Sequence, residues 1–280
     1  MRPRPIGGRG RERRPPRGGA TRARVLAAVP LIAFAIFIVT EGGLVLTLAL
    51  IVIGVLALHE LYTMMARVRP VNLAGFLAIA GLCFTAQYAG RTWLPLALAL
   101  SIPATFLIAV PRPRRDDVSW AIAATLFGVL WIGLALAHAL LLRKVAHGGG
   151  ILVDVLIGTF VGDTCAYFGG RAWGRRPLAP RISPNKTVEG LIAGVVGGTI
   201  AFWAFAVLYQ DWFAGTDALI IGFCVAIVAP LGDLFESLIK RDLDVKDASR
   251  FLGAHGGVLD RLDAVYFSVI AGYYVTIALR

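Results

Sequence analysis

Asp233, Ser237 and Lys240 follow an i, i+4, i+7 spacing, which places an acid, a hydroxyl and an amine along one helical face. Asp260 and Asp263 come later, one helical turn apart. Crowded carboxylates repel one another, and burial disfavours their charged form, unless a cation neutralises them. Hard oxygen ligands suit Mg²⁺. Asp233, Asp260 and Asp263 are therefore the candidate metal ligands. The alternative reading of the cluster is a salt-bridged loop; for Asp163 it is a hydrogen-bonded helix-packing acid, with Tyr167 four residues on along the same face.

Basic residues and small hydrogen-bond donors accompany the acids. Arg171, Arg175, Arg176 and Arg181 precede Ser183-Pro184-Asn185-Lys186-Thr187, which leads toward an apolar helix. The N–H groups and positive dipole end of a helix start suit phosphate, and Lys186 adds a point charge. Ser183, Asn185, Lys186 and Thr187 are thus candidate phosphate ligands, although Thr187 with Gly190 also fits a helix cap and the arginines also fit a topology signal. The G-x-x-x-x-G-K spacing of a P-loop is missing. His255 precedes Gly256 and Gly257, and two glycines allow positive φ and close backbone approach to a ligand. His255 either donates to phosphate or fixes that turn.

These residues sit in a greasy chain. It has 280 residues, 58% hydrophobic and only 16% charged, whereas soluble domains are about one-quarter charged. Apolar runs predict nine membrane helices near 24–40, 43–66, 73–90, 92–110, 118–142, 151–170, 188–210, 217–239 and 263–279. The expected fold is an all-α, polytopic integral membrane protein. Glu41-Gly42-Gly43 predicts a tight junction between the first two helices, and Pro230-Leu231-Gly232 predicts a loosened helix beside Asp233.

Nine spans put the N-terminal tail and the loops near 67–72, 111–117, 171–187 and 240–262 on one side, with 24 of the 28 Lys and Arg. The positive-inside rule makes that side cytoplasmic and leaves the C-terminus outside. The net charge of +11 follows this topology and does not call for nucleic acid. Residues 1–24, rich in Arg, Pro and Gly, read as a disordered basic tail, either an orientation signal or a contact for anionic lipid headgroups. The following apolar run is too long for a cleaved signal peptide. Residues 25–150 form an N-terminal membrane region of about five helices, and 151–280 the catalytic region. Cys83, Cys165 and Cys224 stand alone in apolar segments and read as packing residues.

The C-terminal constellation resembles the phosphatidate cytidylyltransferase (CDP-diacylglycerol synthase) family. That family's signature, S-x-x-K-R, then K-D, then H-G-G-x-x-D-R-x-D, is matched by Ser237, Lys240, Arg241, Lys246, Asp247, His255, Gly256, Gly257, Asp260, Arg261 and Asp263. GDLFES at 232–237, DTCAYFGGRAWG at 163–174 and ISPNKTVEG at 182–190 are also similar. Gly253 and Ala254 depart from the Pro-Gly expected before the histidine. The resemblance covers about 150–270 by motif and 1–150 by architecture only. It implies transfer of the cytidylyl group of CTP to phosphatidic acid, giving CDP-diacylglycerol and pyrophosphate. Asp233, Lys240, Arg241, Asp260 and Arg261 would carry the chemistry. Ser183, Asn185, Lys186, Thr187, Ser237, Lys246, His255, Gly256 and Gly257 would bind substrate. Mg²⁺ would be the cofactor, held by Asp233 and Asp260 with Asp263 and Asp163 as further ligands, with room for a second, monovalent cation. The implied setting is a bacterial inner membrane, with membrane lipids around the protein, the active site facing the cytoplasm and a homodimer as one oligomeric option.

Two other classes compete. A transporter would use Asp163 and Asp233 as ion sites, but does not account for the dense Lys, Arg, Gly-Gly and Asp loop. Another phospholipid enzyme, such as a polyprenol kinase or a CDP-alcohol phosphotransferase, is the second; the D-G-x-x-A-R motif of the latter is absent.

Overall fold

The computed structural model describes residues 33–111, 116–245, 248–249 and 257–280. Lys246, Asp247, His255, Gly256 and the whole basic tail, residues 1–24, lie outside the described residues. The chain divides into two units, Met1–Phe37 and Ile38–Arg280.

Helices dominate, as the apolar runs require: a backbone in lipid must satisfy its own hydrogen bonds. They are α1 (33–41), α2 (Gly43–Met64), α3 (Asn72–Phe84, extended by a π turn, Thr85–Ala89) and α4 (Leu94–Ala109). Next comes α5, which runs from Val118 to Lys144 through a π turn at Val129–Gly133. The C-terminal half contains α6 (Gly148–Trp173), α7 (Val188–Tyr209), α8 (Gly215–Asp242) and α9 (Leu259–Ala278). Among the described residues, seven helices are long and apolar enough to cross a membrane, and they coincide with seven of the nine expected spans. Of the other two, the first is described only from residue 33, and the last falls on α9, which opens with Asp260, Arg261 and Asp263. Large apolar side chains such as Leu107, Tyr209 and Trp173 project outward along these helices. So extensive an apolar surface suits lipid and not water. The molecule is an all-α polytopic membrane protein.

Local sequence explains the junctions. Gly42 and Gly43, both with positive φ, separate α1 from α2. Arg143 then caps the end of α1, its Nε donating to the Val39 carbonyl at 2.8 Å and its Nη2 to that of Thr40 at 3.1 Å. Lys144 does the same for α3, donating to the Gln87 carbonyl at 2.6 Å.

Two expectations need correction. The helix does not loosen at Pro230: α8 is continuous through it. Gly232 instead allows close helix contact, since a Cβ there would strike the Asp263 carbonyl oxygen and lie 3.1 Å from Ala264 Cα. The backbones of α8 and α9 therefore touch at the level of Asp233 and Asp263. The 171–187 stretch is also more than a loop. After α6 ends at Trp173 it forms an antiparallel hairpin, β1 (Pro177–Ala179) and β2 (Ser183–Thr187).

Small residues bring α6 against α7 as well. A Cβ on Gly162 would lie 3.2 Å from the Gly194 carbonyl oxygen, and one on Gly198 would lie 2.8 Å from that of Gly158. Glycines four residues apart on both helices let the backbones meet, the usual device where lipid supplies no hydrophobic drive. This crossing carries Asp163 on α6 and, through α7, the β1–β2 hairpin.

Candidate active site

Each acid is placed by one of these close contacts. Asp233 and Ser237 lie on one face of α8, and Ser237 Oγ donates to Asp233 Oδ1 at 3.4 Å. The hairpin reaches Asp233 from the other side, where Lys186 on β2 forms an ion pair with it. Arg241 ties the same two elements, its Nε donating to the Ile182 carbonyl at 3.3 Å. Asp263, on α9, interacts electrostatically with Asp233, Glu236 and Lys240. Asp163, open at the surface of α6, interacts with Asp263, Asp233 and Lys186.

A second group lies alongside. Lys240 Nζ is 3.0 Å from Glu236 Oε2 and 2.8 Å from Asp260 Oδ1. Asp260 Oδ2 also accepts from the Gly257 N–H at 2.9 Å and the Ala248 N–H at 3.2 Å. Glu236, 1% exposed, joins the groups, since it faces both Asp263 and Asp260. Asp233 and Asp260 are thus each engaged by a different lysine.

Five carboxylates (Asp163, Asp233, Glu236, Asp260 and Asp263) interact here with two amines, Lys186 and Lys240. Glu236 Oε1 is buried and accepts no hydrogen bond among the described residues. Clustered carboxylates in excess of their counter-ions call for added positive charge, and an all-oxygen donor set is the chemistry that a hard divalent cation takes. In the arrangement described, no three acidic, imidazole or thiol groups among the described residues are close enough to hold a metal ion together.

The remaining expected site residues fall into place less uniformly. Thr187 caps α7, its Oγ1 accepting from the Gly190 N–H at 3.1 Å, so the capping alternative describes what it does. Glu189, in the first turn of α7, accepts from the backbone N–H groups of Arg175 and Arg176 at 3.0 and 3.1 Å. Asn185 is exposed and Ser183 half-buried on β2. Arg241 and Arg261 have exposed side chains at the ends of α8 and α9. Tyr167 accepts from Arg171 Nη1 at 3.3 Å.

A sequence model of the family described as the cytidylyltransferase family matches residues 22–279. The chain belongs to that family. Phosphatidate cytidylyltransferase of Bacillus subtilis is 31% identical over 267 residues, which is 91% of this chain and 97% of that relative. The Staphylococcus saprophyticus protein of the same name is 30% identical over 250 residues, 88% of this chain and 95% of its own. The Mycobacterium leprae protein is 37% identical over 154 residues, 54% of this chain and 48% of its own.

Two acids escaped the sequence-based site. Glu236 was visible as a charge inside an apolar run, but not as the bridge between two acid groups. Glu60 on α2 is 4% exposed and accepts from the N–H of Leu259 at 2.8 Å. The same criterion, charge inside an apolar span, could have found it.

Proposed function

We infer that this chain transfers the cytidylyl group of CTP to phosphatidic acid in phospholipid biosynthesis. The observation that carries this is the excess of carboxylates at the end of membrane helices, beside a basic hairpin, in a member of the cytidylyltransferase family. A phosphate oxygen of phosphatidic acid attacks the α-phosphorus of CTP. That P–O bond forms as the bond to the β-phosphate oxygen breaks, and pyrophosphate leaves with the electron pair. No covalent enzyme intermediate is needed, so the protein's work is positioning and charge neutralisation.

A divalent cation, Mg²⁺ by donor chemistry, suits the oxygen donors of these acids: Asp233, Asp263 and Asp163 would hold it once drawn closer together than in the arrangement described, with Asp260 and Glu236 adjoining. When bound it supplies positive charge to the phosphates. Lys186, which neutralises Asp233 here, is the amine best placed to turn onto the CTP phosphates. Lys240 keeps Asp260 and Glu236 in place. Arg241 and Arg261, exposed beside them, suit the lipid phosphate. Asp163, open at the surface of a membrane helix, lies where a headgroup can arrive without its acyl chains leaving the bilayer. The charge bias of the loops supports a cytoplasmic setting for this end, and the bacterial relatives support an inner membrane around it, with 151–280 as the catalytic region.

The test is to give the purified protein labelled CTP and phosphatidic acid, with and without Mg²⁺. Labelled lipid that needs both substrates and Mg²⁺ is the expected result. Folded protein that makes no labelled lipid would overturn the reading.

A further inference from the structure

We propose that Glu60, on α2, is a positioning residue that fixes the start of α9 and so sets Asp260 and Asp263. α9 begins at Leu259 with Val258 as its N-cap, and valine has no side-chain oxygen to satisfy the helix-start N–H groups. Glu60 provides that oxygen from far away in the chain. Its Oε1 accepts from the Val258 N–H at 3.0 Å and its Oε2 from the Leu259 N–H at 2.8 Å. Ser249 Oγ also donates to Oε1 at 2.5 Å. One buried carboxylate therefore holds both sides of the stretch between α8 and α9, and its charge complements the positive end of α9.

Asp260 grips the same backbone from within, accepting from Gly257 and Ala248. Gly257 acquires a reason on this basis. A Cβ there would lie 2.5 Å from Glu60 Oε2 and 2.9 Å from its Cδ, so the glycine makes room for the glutamate. Glutamine cannot replace Glu60: whichever way its amide turns, an NH₂ group meets a backbone N–H.

The inference rests on the proposed reaction only for its activity arm. Glu60→Gln, Ser249→Ala and Gly257→Ala are compared with wild type, with Asp154→Asn as a buried-acid control away from the site. In the purified metal-free protein, trypsin cleavage after Arg261, in the first turn of α9, should run about tenfold faster in Glu60→Gln and Gly257→Ala. It should be faster by a smaller factor in Ser249→Ala, and unchanged in Asp154→Asn. In the labelled-CTP assay, the Mg²⁺ concentration for half-maximal rate should rise about tenfold in Glu60→Gln. Mere loss of folded enzyme lowers the rate without moving that midpoint. Wild-type cleavage and Mg²⁺ dependence in Glu60→Gln would overturn the proposal, as would equal shifts in Asp154→Asn. If Glu60→Gln does not fold, unchanged cleavage in Ser249→Ala overturns it. If the wild type forms no labelled lipid, the reaction fails while the cleavage arm still decides the role of Glu60.

Discussion

Helix α6 carries two acids, Asp154 near its start and Asp163 past its middle, and they behave differently. Asp154 is 2% exposed and has one partner, Gln210, whose Nε2 donates to Oδ2 at 2.6 Å. Asp163 lies nine residues on, about 13 Å along the helix. It meets two further carboxylates, Asp233 and Asp263, and the single amine of Lys186. An amide answers the hydrogen-bonding needs of a buried acid and completes a helix contact. Five acids around two lysines leave charge to be neutralised by something that arrives. Burial of an acid alone is therefore not the mark of this site; acids outnumbering their partners is.

The largest expected effect sharpens that contrast at its centre. Asp233→Asn or Asp263→Asn should lower incorporation of labelled CTP into lipid by about 10³-fold, the scale of removing preorganised charge at a phosphoryl centre. Protein yield and unfolding midpoint should stay near wild type. Near-normal turnover in either would remove that acid from the reacting centre. Lys240→Met comes next, because it leaves Glu236 and Asp260 without their amine. Breaking so enclosed a pair should cost about 3 kcal/mol of stability, read as a lower unfolding midpoint in detergent, together with a loss of turnover. Lys186→Ala should raise KM for CTP about tenfold, the worth of one charge-assisted hydrogen bond, while KM for phosphatidic acid changes less. An unchanged CTP dependence would free the hairpin from that role. The smallest effect belongs to the other acid of α6. Asp154→Asn still accepts from Gln210, so turnover should stay within about twofold and stability within about 1 kcal/mol. If it lost activity as Asp233→Asn does, the contrast between the two acids would break.

Much of the fold was legible in the sequence. Apolar runs located the helices, because the cost of lipid-exposed polar backbone acts on each span separately. The acids at 163, 233, 260 and 263 stood out for the same reason, and Gly42-Gly43 marked the α1–α2 junction. The β1–β2 hairpin was not legible: its strands hold three and five residues, with Pro177 and Pro184 among them and little alternation. Nor was the role of Gly232, which looked like a hinge in one helix and is a contact between two. Glu60 was overlooked because its partners Ser249, Val258 and Leu259 belong to the other half of the chain.

The sequence alone determined that this protein is a helical membrane protein and which charged groups sit within or beside its spans. Both follow from local transfer energies, residue by residue. Only the tertiary structure decided the partners: Lys186 with Asp233, Lys240 with Asp260 and Glu236, and Glu60 with the start of α9. Partner choice depends on where helices cross, and the crossings are set by small residues whose contacts lie on other helices.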